Sequence, residues 1–214
     1  MIIVLCLLFM HRKKSLKAEV ERLPVLLIQG IFDTVGVFLP MKNFLEKSGW
    51  KVYIFEGFPT DARFSIEEMA EKLKEYIDKT FPLGQKIDII GYSMGGIVGR
   101  YYLQKMHGFQ RVKRFIGLSA PNYGALWAFF LPLKAVKQMR IGGNFLRDLN
   151  RDISQLKKVQ CTFIWTPFDL MIMPARSSRM PFGKLVKVSV LTHPWMAISR
   201  KSLGVIGNAL SEFF

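Results

Sequence analysis

The chain has 214 residues, half of them hydrophobic and 13% aromatic, enough to bury one full core and too apolar for a disordered segment. Lys and Arg number 31 against 16 Asp and Glu, a formal charge of +15, which reads either as a match for an anionic partner surface or as a solvated basic exterior. The basic residues are scattered and carry no nucleic-acid-binding signature, and two cysteines and three histidines at unrelated spacings exclude a disulfide framework and a zinc cluster.

The first ten residues, Met1 to Met10, are wholly apolar and precede His11-Arg12-Lys13-Lys14. Ten residues are too few to span a bilayer, which takes about 20. The charge follows the apolar run and no small-residue cleavage site is present, so the segment does not read as a secretory signal. Residues 1–22 are therefore expected to be an apolar anchor with a basic collar, or an arm packed on the domain or on a partner. The domain itself is assigned to residues 23–214.

From Leu23 strand-like and helix-like segments alternate, the pattern of a parallel sheet with helices on both faces. Val25–Gln29 is a buried strand ending at Gly30, and a helix around Met41–Lys47 stops at Gly49. Lys51–Phe55 is the second strand. Ser65 and Glu68 form a capping box, and the helix it opens turns Ile66, Met69, Ala70, Leu73, Tyr76 and Ile77 to one side. A third strand, Lys86–Ile90, runs into Gly91-Tyr92-Ser93-Met94-Gly95-Gly96 and then into a helix. Arg114–Leu118 is the fourth strand. Residues 123–152 break the alternation and are assigned to a cap insertion, with Trp127, Phe129, Phe130 and Leu131 near the entry. Strands resume at Cys161–Trp165 and Leu185–Val190, and a last helix starts near Ser199.

Gly-x-Ser-x-Gly between a strand and a helix is the nucleophile elbow: the glycines let strand and helix pass closely, and Ser93 is held in a strained conformation at the sheet edge. Serine needs a neighbouring base. His193 follows the last strand on a loop, where residues at strand carboxyl ends converge, whereas His107 lies about 20 Å of helix rise from Ser93 and His11 sits in the basic collar. Asp169 follows the strand Cys161–Trp165 and completes the chain order Ser, Asp, His, while Asp148 and Asp152 read as solvated helix charges. The oxyanion donors are expected to be the backbone N–H groups of Met94 and, from the loop after the first strand, Ile31. Phe32, Trp127 and Phe130 are the expected substrate-binding side chains; the cap aromatics serve equally well as core packing.

With these pieces in place the chain resembles the α/β-hydrolase superfamily, in particular its small bacterial lipase- and esterase-like members, over Pro24 to Leu210. The resemblance is carried by Val25-Leu26-Leu27-Ile28-Gln29-Gly30-Ile31, by the elbow, by Ser119-Ala120-Pro121-Asn122-Tyr123-Gly124, by Asp169-Leu170-Met171-Ile172-Met173-Pro174 and by Thr192-His193-Pro194. Two positions depart from the pattern: Gln29 stands where a histidine usually precedes the oxyanion glycine, and Pro194 directly follows His193. The resemblance implies a mostly parallel sheet of about six strands flanked by helices, and a serine hydrolase cleaving carboxylic esters through an acyl-enzyme without cofactor or metal. An acyltransferase with the same triad, or a non-catalytic membrane-associated relative, is the alternative. A lipid-like ester, a possible anionic membrane surface as partner and a membrane-associated or cytoplasmic location complete the expectation; nucleic acid is not expected.

Overall fold

The computed structural model describes residues 22–57 and 61–212, so the apolar run Met1–Met10, its basic collar, Cys6 and His11 lie outside the described residues. Six strands, β1 (Val25–Ile28), β2 (Val52–Phe55), β3 (Ile87–Tyr92), β4 (Val112–Leu118), β5 (Gln160–Trp165) and β6 (Lys184–Lys187), form one sheet in the order β2-β1-β3-β4-β5-β6, every pair parallel. Parallel strands need both faces covered, and β1, wholly apolar, and β3, apolar but for Asp88, are accordingly buried along their whole length. Leu26, Ile28, Ile89 and Phe115 point to a core beneath α2 (Ile66–Thr80) and α3 (Met94–Lys105). Leu27, Ile90, Ile116 and Leu118 point to a second core beneath α1 (Leu39–Lys47), α6 (Trp195–Ile198) and α7 (Arg200–Ser211).

The capping box forms as read: the Ser65 N–H donates to Glu68 Oε2 at 2.6 Å and the Glu68 N–H to Ser65 Oγ at 3.2 Å. Five of the six predicted apolar positions of α2 are buried, and Tyr76 is half-buried against the same core. The segment 123–152 carries α4 (Lys134–Gln138) and α5 (Asn144–Arg151). Its later part packs along α2 and α3, where Gln138 accepts from the Ile66 N–H at 2.7 Å and donates to Glu67 at 2.6 Å. Its first turn stays at the strand ends, where the Leu126 N–H donates to Met173 O at 2.9 Å.

The last strand is shorter than its apolar run suggests. The ladder ends at Lys187, and Val188 and Val190 leave it to bury themselves under α6 and α7. The Thr166 hydroxyl takes the Val190 carbonyl at 2.5 Å, which turns the chain across the strand ends toward His193. The short helix α6 after Pro194 precedes the expected last helix, which Ser199 caps by accepting from the Ser202 N–H at 3.2 Å.

Candidate active site

Chain order takes β1 to one side for β2 and to the other for β3, so the crevice at the carboxyl ends of β1 and β3 is the switch point where ligands of such sheets bind. Ser93 leaves β3 there with φ 53° and ψ −124°, a conformation that side chains other than glycine seldom adopt, and opens α3. The elbow holds that strain through close approach. A Cβ on Gly91 would stand 2.6 Å from the Gly96 Cα, and one on Gly95 would stand 2.5 Å from the Gln29 carbonyl oxygen.

The loops after β5 and β6 bring Asp169 and His193 together, both buried, with His193 Nδ1 2.8 Å from Asp169 Oδ2. The other oxygen of Asp169 accepts the Met171 and Ile172 N–H groups at 3.1 and 2.9 Å, so both oxygens are engaged and the side chain is fixed. An ionised carboxylate only accepts, so Nδ1 is the donor in this contact. The imidazole rests on the residue next to Ser93: the Tyr92 ring stacks on it at 4.9 Å and the Tyr92 hydroxyl donates to the His193 carbonyl at 3.0 Å. Burial, with the negative charges of Asp33 and Asp169, pushes the Tyr92 phenol well up, so it remains a donor.

Ile31 and Met94 are buried beside this crevice. Neither N–H donates to a backbone carbonyl among the described residues outside the helices and strands. Gln29 is buried too, its amide oxygen without a hydrogen-bond partner among the described residues. Of the three expected substrate side chains, Phe32 and Phe130 stand well exposed, whereas Trp127 packs half-buried on the core beneath α2 and α3. His107 is exposed beyond the end of α3, and Asp148 is a surface charge of α5 paired with Arg151.

Asp33 is a member of the site that the sequence reading passed over. Its carboxylate accepts the Gly30 N–H at 3.0 Å. A Cβ on Gly30 would meet the Asp33 carboxylate and stand 2.9 Å from the Ser93 Cβ, so the carboxylate, the turn and the serine are packed against each other. Burial raises the Asp33 carboxyl above its ordinary value, against the opposing pull of His193 and of the Gly30 N–H. The only signal in the sequence was its spacing from Gly30.

Among the described residues no group of three or more His, Cys, Asp or Glu side chains is placed to hold a metal ion. A cavity of about 830 Å³ lies at the other edge of the sheet, lined by Arg114, Gln160 and Lys184 near the starts of β4, β5 and β6, too far from the elbow to hold a substrate against Ser93.

A model of the α/β-hydrolase fold matches residues 24–152, more than half of the chain. Among solved structures, the chain is similar to the mature lipase BlEst2 of Bacillus licheniformis, at 15% identity over 89% of this chain and 93% of that one, with a TM-score of 0.75. It is also similar to lipase B of Aspergillus fumigatus, at 16% identity over 91% of this chain and 53% of that one, TM-score 0.74. A bromoperoxidase of Bacillus anthracis matches at 13% identity over 89% and 92%, TM-score 0.63. At such identities the likeness to these structures is one of fold.

Proposed function

Given that the chain belongs to the α/β-hydrolase fold family, we propose that it is a serine hydrolase that cleaves an apolar carboxylic ester through an acyl-enzyme, with Ser93 as nucleophile, His193 as base and Asp169 as the orienting carboxylate. The observation that carries this reading is the buried His193–Asp169 contact at 2.8 Å on an imidazole stacked against Tyr92, the neighbour of the strained serine. Two lipases with the same fold, from Bacillus licheniformis and Aspergillus fumigatus, support the choice of an ester.

In this mechanism Ser93 Oγ attacks the ester carbonyl carbon while its proton passes to His193 Nε2. The carbonyl oxygen takes the negative charge and is held by the Ile31 and Met94 N–H groups, an effect of ~3–4 kcal/mol for a donor of this kind. Asp169 stabilises the imidazolium without taking its proton. Collapse breaks the bond to the alcohol oxygen, which leaves with the proton from His193. Water then attacks the acyl-enzyme, His193 again takes and returns the proton, and the carboxylic acid and free Ser93 are regenerated. Phe32 and Phe130 flank the acyl chain on this reading, and Trp127 backs the wall behind them.

Turnover of a chain-length series of p-nitrophenyl esters tests the proposal. Wild type is expected to prefer a medium or long acyl chain, and Ser93→Ala to lose about 10⁴-fold or more of the activity. Equal turnover by the two proteins contradicts it.

A further inference from the structure

The carboxyl edge of the sheet concentrates the molecule's exposed apolar surface. Among the described residues, the large hydrophobic side chains left exposed belong to the segments that follow β1, β4, β5 and β6, apart from Leu83 on the turn before β3 and Leu185 on the edge strand. Phe130 is 82% exposed, Leu170 79% and Leu191 63%, and Phe32, Phe168 and Trp195 stand half-exposed among them. These segments are bonded to one another: the Leu126 N–H donates to Met173 O at 2.9 Å, the Tyr123 N–H to Ser177 O at 3.2 Å, and Thr166 Oγ to Val190 O at 2.5 Å. They therefore form a fixed rim around the crevice of Ser93. An apolar patch spread over four loops and rimmed by polar groups is the signature of a docking face.

Charge identifies what it docks to. Residues 89–147 and 170–211, which supply most of the rim, contain no Asp or Glu. The first of these stretches brings Lys134, Lys137, Arg140 and Arg147, and the second Arg176, Arg179, Arg200 and Lys201 besides two lysines of β6. Of the carboxylates in these segments, Asp169 is turned onto His193 and Asp33 onto Gly30; after β2, at the same edge, Glu56 is exposed and Asp61 is paired with Arg63. Acidic residues gather instead on α2, at Glu67, Glu68, Glu71, Glu75 and Asp78. Beside the rim, Arg176 and Arg179 line a cleft of about 400 Å³ together with Tyr123 and Ser177. Both guanidinium groups are exposed and present paired donors that suit a phosphate diester.

We propose that this rim is the face on which the protein rests on an anionic phospholipid bilayer, with Phe130, Leu170, Leu191 and Trp195 among the acyl chains and Arg176 and Arg179 on a headgroup phosphate. Among the described residues no helix is long and apolar enough to cross a membrane, so the attachment they provide is peripheral. Seated in this way, the crevice of Ser93 opens onto the lipid, and an acyl chain reaches it without crossing water. The seating goes beyond the proposed reaction and is testable without it.

The test uses the full chain carrying Ser93→Ala, sedimented with vesicles of phosphatidylcholine alone or mixed with phosphatidylglycerol. Binding is expected to be stronger to the mixed vesicles and to weaken as salt is raised. Adding Leu170→Ser with Leu191→Ser lowers the partition coefficient by about tenfold or more. Adding Arg176→Ser with Arg179→Ser abolishes most of the preference for phosphatidylglycerol. Leu83→Ser, at the opposite edge, changes neither. A lipid-borne quencher reports the same face independently, because the quenched tryptophan emission falls in Trp195→Phe, Trp127 being the other tryptophan on the rim. Rim variants that bind like their parent, quenching left unchanged by Trp195→Phe, or self-association through the rim in place of vesicle binding overturns the proposal.

Discussion

Asp33 reaches back three residues to the Gly30 N–H, and that bond at 3.0 Å ties down the turn on which Ile31 sits. A hydrogen bond to a carboxylate contributes more than one between neutral groups, and here it orders a backbone whose neighbouring N–H is assigned to the developing oxyanion. Asp33→Ala is expected to lower kcat by about tenfold to a hundredfold with KM changed less than about threefold, the split expected when stabilisation is lost in the transition state alone. Asp33→Asn keeps an acceptor in place and is expected to recover part of the loss. Steady-state kinetics on a soluble ester reads both variants. The placement of Ser93, Asp169 and His193 past the carboxyl ends of strands was legible in the sequence because an apolar run announces each of those strands. Asp33 was not, because its role exists only once the turn folds back on Gly30. Gln29 was visible as a departure, but its buried amide oxygen without a partner is a fact of packing.

Among the helices, α3 does more than hold Ser93. Arg100 on its inner side is fully buried. It donates from Nε to Gln104 at 3.2 Å, from Nη1 to Asn122 Oδ1 at 3.0 Å and from Nη2 to Asn150 Oδ1 at 2.8 Å. Asn122 passes the connection to Ser178 O at 2.9 Å, and Asn150 returns it to Asn122 O at 2.8 Å. The helix of the elbow, the loop after β4, the helix α5 and the segment around Ser178 are thus joined through one cation whose hydrogen-bond partners are all neutral. Burial lowers its pKa to about 10, still far above neutrality, so the charge persists. Arg100→Met leaves three side-chain acceptors short of a donor and is expected to cost about 2–4 kcal/mol. The loss is measured by denaturant unfolding, with faster proteolysis near residues 140–152 as the local sign. This network was illegible in the sequence, where nothing sets Arg100 apart from the other residues of the helix after the elbow. The two asparagines that bind it lie 22 and 50 residues away. The capping box of α2 was legible because Ser65 and Glu68 are three residues apart.

At the scale of the molecule, the parallel sheet follows from the alternating pattern, but its order and the path of residues 123–152 along α2 and α3 depend on which faces meet. One consequence of that packing bears on stability against pH. Asp88, on the central strand β3, is fully buried. Arg114 holds one of its oxygens at 2.9 Å, and the other has no hydrogen-bond partner among the described residues. Burial outweighs the arginine and raises its pKa to about 6, from an ordinary 3.8. Between those values the folded protein holds a proton that the unfolded chain has lost, so the contribution of Asp88 to stability falls as pH rises through that window and is flat above it. Asp88→Asn removes the slope. Relative to wild type, the variant is expected to gain on the order of 2 kcal/mol between pH 4 and pH 7, read from paired denaturant titrations. A pH-independent difference between the two proteins contradicts this account of the pair.

The assignment of the nucleophile bears the most weight, and a fluorophosphonate probe reads it directly. Mass spectrometry of the labelled, digested protein is expected to find one adduct, on the peptide that contains Ser93, absent from Ser93→Ala and formed far more slowly in Asp169→Asn. An adduct elsewhere in the chain, or equal labelling of wild type and Ser93→Ala, contradicts the assignment.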